Sequence, residues 1–284
     1  MCKKHIYPCN IRTLTFFQLI LNDKFLKMVK VLILRAPGIN CDVETRFAFQ
    51  SAGAACVDVI HVNRLLESSG LLNNYQILCL PGGFSYGDDI GAGKVLASKL
   101  SRNLGDMFRL FCDSGKLILG ICNGFQVLLK SGLLLSDGNG NSLATLAWND
   151  PPVYTDRWVH LRSFDSGCVF LRGIHRLYLP IAHGEGRFVP AGGSEVLSNL
   201  SATGQLALRY ALGDNPNGSV ADIAGVCDSS GRIFGLMPHP ERFLNIFQHP
   251  HWTRLIKRNQ PYKNECNYKG DGFAIFQNAV SYFL

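Results

Sequence analysis

The sequence predicts an α/β fold: a doubly wound, mostly parallel sheet flanked by helices, with an additional antiparallel β portion in the second half. Three observations carry this. Short runs of β-type apolar residues alternate with helix-like segments from residue 30 to Gly132. Those runs are continuous rather than alternating, as suits strands covered on both faces. After Leu143, Gly and Pro break the chain into short strand-like pieces, which read as an antiparallel region.

The first strand is Val31-Leu32-Ile33-Leu34. Beyond Pro37 and Gly38, Asn40 is expected to cap a helix whose first turn holds Asp42 and Glu44, and Gly53 to end it. A second strand spans Cys56 to Val62, and a third, Ile77 to Leu80, runs into Pro81-Gly82-Gly83. Val95, Leu100, Leu104, Phe108 and Phe111 mark an amphipathic helix ending before Gly115, followed by the strand Leu117-Ile118-Leu119. Strand and helix in regular succession predict right-handed crossovers and a parallel sheet. Further on, Ser219 to Val226 and Arg232 to Met237 flank a turn-rich string and read as a hairpin. The polar segment 243 to 269 reads as a surface loop or insertion. Phe273, Phe276, Val280 and Phe283 then give a closing helix.

At 284 residues, 47% hydrophobic and 17% charged, the chain has ample material for a packed core. Of the net charge of +7, Lys3, Lys4, Arg12, Lys24 and Lys27 against Asp23 place +4 in the first 27 residues, leaving about +3 for the rest. No run of Lys and Arg with interleaved aromatics occurs, which argues against a nucleic-acid partner. The ten cysteines are scattered singly, several inside apolar runs, and read as buried thiols of a reducing compartment. No pair has zinc-type spacing, so no metal is expected. The run Leu14 to Leu21 is interrupted by Gln18, lacks a cleavage signal and is too short to span a bilayer. Residues 1–28 are therefore expected to be an extension without function, and 29–284 a single domain.

Chemistry concentrates in three strings. Gly120-Ile121-Cys122-Asn123-Gly124 follows a buried strand and precedes a helix, the context of a nucleophile elbow, in which flanking glycines allow a strained turn that lifts the nucleophile above the sheet. A thiol at a helix N-terminus is favoured as thiolate by the unpaired N–H groups there. Pro81-Gly82-Gly83, at the end of a neighbouring strand, offers a backbone N–H for an oxyanion hole, and the N–H of Asn123 a second. Pro238-His239-Pro240-Glu241 sets a histidine and a carboxylate two residues apart, on the same side of an extended segment, so that Glu241 orients His239 as general base.

Together with Arg35 to Asp42, Gly83-Phe84-Ser85-Tyr86-Gly87-Asp88, His183-Gly184-Glu185-Gly186 and Asn215 to Ser219, these strings resemble the class I glutamine amidotransferases. Within them the resemblance is to the glutaminase subunits of the phosphoribosylformylglycinamidine synthase branch of purine biosynthesis. It spans roughly residues 29 to 284. It implies Cys122 as nucleophile, His239 as base and Glu241 as orienter, with Gly82, Gly83 and Asn123 at the oxyanion hole and Gln126, His183 and Gly184 near bound L-glutamine. It also implies a cytoplasmic enzyme, with no membrane partner and no cofactor of its own. ATP and Mg are expected on the synthetase large subunit, its main partner beside a small accessory subunit. The sequence departs from the family pattern in residues 1–28, in Trp148 to Trp158 with its two prolines, and in segment 243 to 269, which bears on partner contacts rather than chemistry. The competing readings are a related cysteine hydrolase or peptidase, and a non-catalytic redox-sensing binding module in which Cys122 is a reactive thiol.

Overall fold

The computed structural model describes residues 28–137, 141–164, 166–258 and 268–284. Residues 1–27, expected to be a functionless extension, lie outside the described residues, as does part of segment 243–269. The main sheet has nine strands in the order β2-β1-β3-β4-β11-β10-β9-β6-β7. Its parallel half comprises β1 (Lys30–Arg35), β2 (Cys56–His61), β3 (Ile77–Leu80), β4 (Leu117–Ile121) and β11 (Ile233–Leu236). Strands β10 (Ile223–Cys227), β9 (Leu208–Tyr210), β6 (Thr155–Ser163) and β7 (Arg176–His183) continue the same sheet with antiparallel pairings. Strands β5 (Ala144–Trp148) and β8 (Glu185–Pro190) form a separate antiparallel pair. The expected mostly parallel doubly wound sheet is therefore present, with its antiparallel portion grafted onto one edge.

Helices α1 (Asp42–Ser51), α2 (Val62–Glu67), α3 (Lys94–Asp113) and α4 (Asn123–Lys130) connect the parallel strands, α5 (Gly193–Ala202) and α6 (Trp252–Arg258) lie in the second half, and α7 (Phe273–Ser281) closes the chain. Strands β3 and β4 are buried at every residue, which is why their sequences are apolar without alternation. Helix α7 packs on α1 through the edge-to-face pair Phe49–Phe276, with centroids 5.0 Å apart.

Two local expectations change. The residue capping α1 is Cys41, with no side-chain cap bond, because the Asn40 amide oxygen instead accepts from the Cys41 thiol at 3.3 Å. Segment 243 to 269 is not merely a polar loop: Phe243, Leu244, Ile246 and His249 are buried, and Trp158 packs on both Phe243 and His249. Alternating polar residues mask these anchors in the sequence. The seven described cysteines are all free, and no described helix is long and apolar enough to cross a membrane.

The parallel half sets up one edge for chemistry. Register pairs Leu80 of β3 with Gly120 of β4, and Leu236 of β11 with Ile121 of β4. Three chains therefore leave the sheet side by side, at Gly82-Gly83, Cys122 and His239, where loops of a parallel sheet converge on ligands. The fit is close: a Cβ on Gly124 would lie 1.9 Å from the Leu80 carbonyl oxygen. Gly124→Ala is accordingly expected to destabilise the protein by about 1–3 kcal/mol or more, since the obstruction is backbone and cannot swing aside. Chemical denaturation checks this, and an unchanged midpoint would contradict the packing described.

Candidate active site

Cys122 sits between β4 and α4 at φ 51°, ψ −105°, a left-handed conformation that a non-glycine residue adopts only when its surroundings impose it. They do so here. Its N–H donates to the Leu236 carbonyl of β11 at 2.8 Å, while its carbonyl accepts from Gln126 N–H in the first turn of α4 at 3.1 Å. The thiol is thereby fixed at a helix N-terminus, facing the Ala182 carbonyl at 3.8 Å.

His239 follows β11, and its backbone N–H donates to Pro180 of β7 at 2.8 Å. Its ring is buried, as is the Glu241 carboxylate, and Nδ1 meets Glu241 Oε1 at 2.6 Å. The pair arises differently from the sequence expectation. Residues Pro240–Arg242 form a single 3₁₀ turn, not an extended segment, and the turn folds the carboxylate back onto the ring. Burial opposes a charged imidazole, but Glu241, and after it Cys122, outweigh this and raise the His239 pKa well above 6.5. Nε2, buried without a hydrogen-bond partner among the described residues, is the ring nitrogen left for the Cys122 thiol.

Behind the ring stands Cys41, whose sulfur lies 4.0 Å from His239 Nδ1 and accepts from Arg242 Nη2 at 3.2 Å. Gly82 fits against the same ring: a Cβ there would lie 2.7 Å from His239 Cε1. The Gly82 carbonyl accepts from Cys41 N–H at 3.3 Å. This leaves the Gly83 N–H, like that of Asn123 at the start of α4, without an acceptor among the described residues. Gly83, Asp88, Cys122, Gln126, His183, Gly184 and Glu185 line one cleft of about 250 Å³, with Trp148 and Tyr154 at its rim. Of the residues expected near the chemistry, Gly83, Cys122, Gln126, His183 and Gly184 line this cleft, whereas Gly82, Asn123, His239 and Glu241 do not. Cys41, His239 and Glu241 are also the one described group whose ligand atoms, all within 4.8 Å of one another, could hold a metal ion.

His183 is the most informative member of its string. Asn149 Nδ2 donates to the carbonyls of His183 and Val153, at 2.8 and 2.9 Å, so its Oδ1 is the acceptor facing His183 Nδ1 at 3.1 Å. Nδ1 therefore carries the proton and Nε2 is a bare acceptor. Burial, followed by the charge of His239, lowers the His183 pKa to about 4. Asn149, together with Trp148 and Tyr154, lies in the stretch that the sequence assigned to partner contacts. Nothing in the local pattern marks it, because its partner is 34 residues away. Asp88 closes the Gly83–Asp88 string, and the structure gives it a part there: it accepts from Asn123 Nδ2 and from Gly93 N–H.

The His183 pKa has a consequence for stability. The unfolded chain takes up the proton near 6.5 and the folded chain only near 4, so stability falls as pH drops through that window, by about 3 kcal/mol from this group. His183→Gln should flatten the dependence of unfolding midpoint on pH between those values. An equal slope in the variant would show that His183 is not held neutral.

Comparison with known proteins identifies the family. The family model for a CobB/CobQ-like glutamine amidotransferase domain matches residues 28–283. Phosphoribosylformylglycinamidine synthase subunit PurQ of Dehalococcoides mccartyi is 45% identical over 262 residues, covering 89% of this chain and 97% of that protein. The PurQ subunit of Archaeoglobus fulgidus is 35% identical over 277 residues, covering 89% and 97%. A chain of the PurLQS structure from Thermotoga maritima aligns with a TM-score of 0.66 at 30% identity, over 90% of this chain and 100% of that one. A glutamine amidotransferase from the same organism, 16% identical with a TM-score of 0.50 over 89% of this chain and 96% of its own, shares the fold. The chain belongs to the glutamine amidotransferase family.

Proposed function

We propose that this chain is the glutaminase subunit of phosphoribosylformylglycinamidine synthase: it hydrolyses L-glutamine to glutamate and ammonia and delivers the ammonia to a synthetase. The observation that carries this reading is the convergence of Cys122, His239 and the Gly82-Gly83 loop at one cleft from three adjacent parallel strands. Relatives that bear the name of this synthase at 45% identity supply the pathway.

The proposed chemistry runs in two halves. The thiol proton passes to His239 Nε2, giving the imidazolium that Glu241 favours, and Cys122 Sγ then attacks the side-chain amide carbon of glutamine. The N–H groups of Gly83 and Asn123 stabilise the developing oxyanion. His239 then protonates the leaving nitrogen, the C–N bond breaks, and ammonia departs from a glutamyl thioester. Water adds to the thioester, giving its proton to His239. The C–S bond breaks, glutamate leaves and the thiol is restored. Throughout, Glu241 holds the imidazole through Nδ1 and balances its charge. Gln126, His183 and Gly184 are the residues proposed to receive glutamine.

Residues 29–284 form the catalytic unit in this reading, and residues 1–28 add no function to it. The chain needs no cofactor of its own. ATP and Mg act on the large synthetase subunit, with a small accessory subunit completing a cytoplasmic complex.

Cys122→Ala is expected to abolish glutamine hydrolysis while the assembled complex still uses free ammonia. Residual hydrolysis in the variant would contradict the assignment. Glu241→Gln, which keeps shape and removes charge, should lower kcat on the order of 10² to 10⁴, and an unchanged kcat would remove Glu241 from the mechanism.

A further inference from the structure

Asn123 is fully buried beside the nucleophile, and every polar atom of its side chain is engaged. Oδ1 accepts from Ser85 N–H at 3.2 Å, while Nδ2 donates to Asp88 Oδ1 at 3.1 Å and to Gln126 Oε1 at 2.9 Å. Gln126 in turn donates to the Glu185 carbonyl at 2.5 Å, and Asp88 also accepts from Gly93 N–H at 2.9 Å. One amide thus ties the nucleophile elbow to the loop that follows Gly83 and, through Gln126, to the first residue of β8.

That loop is strained. Tyr86, Gly87 and Asp88 have φ of 56°, 74° and 54°, three consecutive residues in the left-handed region. Each non-glycine residue there costs about 1–3 kcal/mol, and such backbone persists only where its surroundings over-determine it. Tyr86 N–H on Pro37 and Phe84 N–H on Gly38, at 2.7 and 2.9 Å, hold the outer side. Asn123 holds the inner side at both ends, at Ser85 and at Asp88. The strained turn begins three residues after Gly83, close enough along the chain to bear on the direction of the Gly83 N–H.

We propose that the side chain of Asn123, apart from its peptide N–H, is a positioning residue that clamps the left-handed 86–88 turn and thereby keeps the Gly83 N–H aimed into the cleft. The proposal rests on the glutaminase reading above. Without the amide, Ser85 N–H and the Asp88 carboxylate lose their buried partner, the turn relaxes, and the oxyanion donor drifts.

Two variants test it. Asn123→Ala should lower kcat for glutamine by about 10- to 100-fold, with a smaller change in KM, because a displaced donor weakens the transition state more than the ground state. Asn123→Asp sets a second carboxylate against Asp88. At the alkaline end of the pH range in which the protein stays folded both are charged, and toward its acid end the pair takes up a proton and regains its hydrogen bond. The other charged groups facing Asp88 are Glu185 of β8 and Lys130 of α4. The kcat deficit of Asn123→Asp should therefore shrink as pH is lowered, which a purely structural role would not produce. A kcat for Asn123→Ala within about twofold of the parent, or an Asn123→Asp deficit constant across that pH range, overturns the proposal. The parent's own turnover and its loss in Cys122→Ala report separately on the glutaminase reading.

Discussion

The hydrogen bond between His239 Nδ1 and Glu241 Oε1, 2.6 Å long and fully buried, is the interaction on which the rest of the site depends. A carboxylate without exposure to water is costly unless a positive charge meets it, and Glu241 Oε2 has no hydrogen-bond partner among the described residues. The imidazole supplies that charge, and the carboxylate in turn keeps the proton on the ring. Breaking the pair would leave an uncompensated ion in the interior. The surrounding packing protects it: Gly82 has no side chain because the ring occupies that space, and Cys41 closes the site from behind while Arg242 donates to its sulfur.

Three of the six described non-glycine residues with positive φ lie at the cleft beside this pair. Cys122, Tyr86 and Asp88 all hold positive φ within a few residues of the cleft, and each is pinned by hydrogen bonds from a neighbouring element. The parallel sheet makes this possible because its strands are buried and in fixed register, so a close approach such as Gly124 on Leu80 is set by rigid backbone. Rigid strands, strained loops and a buried charge pair are complementary features: the first holds the second in place around the third.

Much of this was legible in the sequence, for identifiable reasons. Continuous apolar runs marked β1, β3 and β4 because strands covered on both faces leave no alternation to mislead. The elbow was legible because its glycines stand at fixed offsets from Cys122. His239 and Glu241 were paired correctly, though by a wrong local geometry, because two residues apart brings side chains together in a tight turn as well as in a strand. What stayed hidden depends on contacts distant along the chain. Asn149 meets His183 across 34 residues, and Cys41 meets His239 across 198. The buried anchors of segment 243 to 258 were obscured by polar neighbours, and the helix cap was misplaced by one residue because Asn40 spends its amide oxygen on the Cys41 thiol.

In the proposed chemistry the buried pair activates Cys122 toward glutamine, and the step is covalent. The most direct measurement is peptide mass spectrometry of protein quenched in acid during steady-state turnover of glutamine. The account predicts a glutamyl adduct on the peptide carrying Cys122, and on no other of the ten cysteines. Turnover without an adduct, or an adduct on a different thiol, would contradict it.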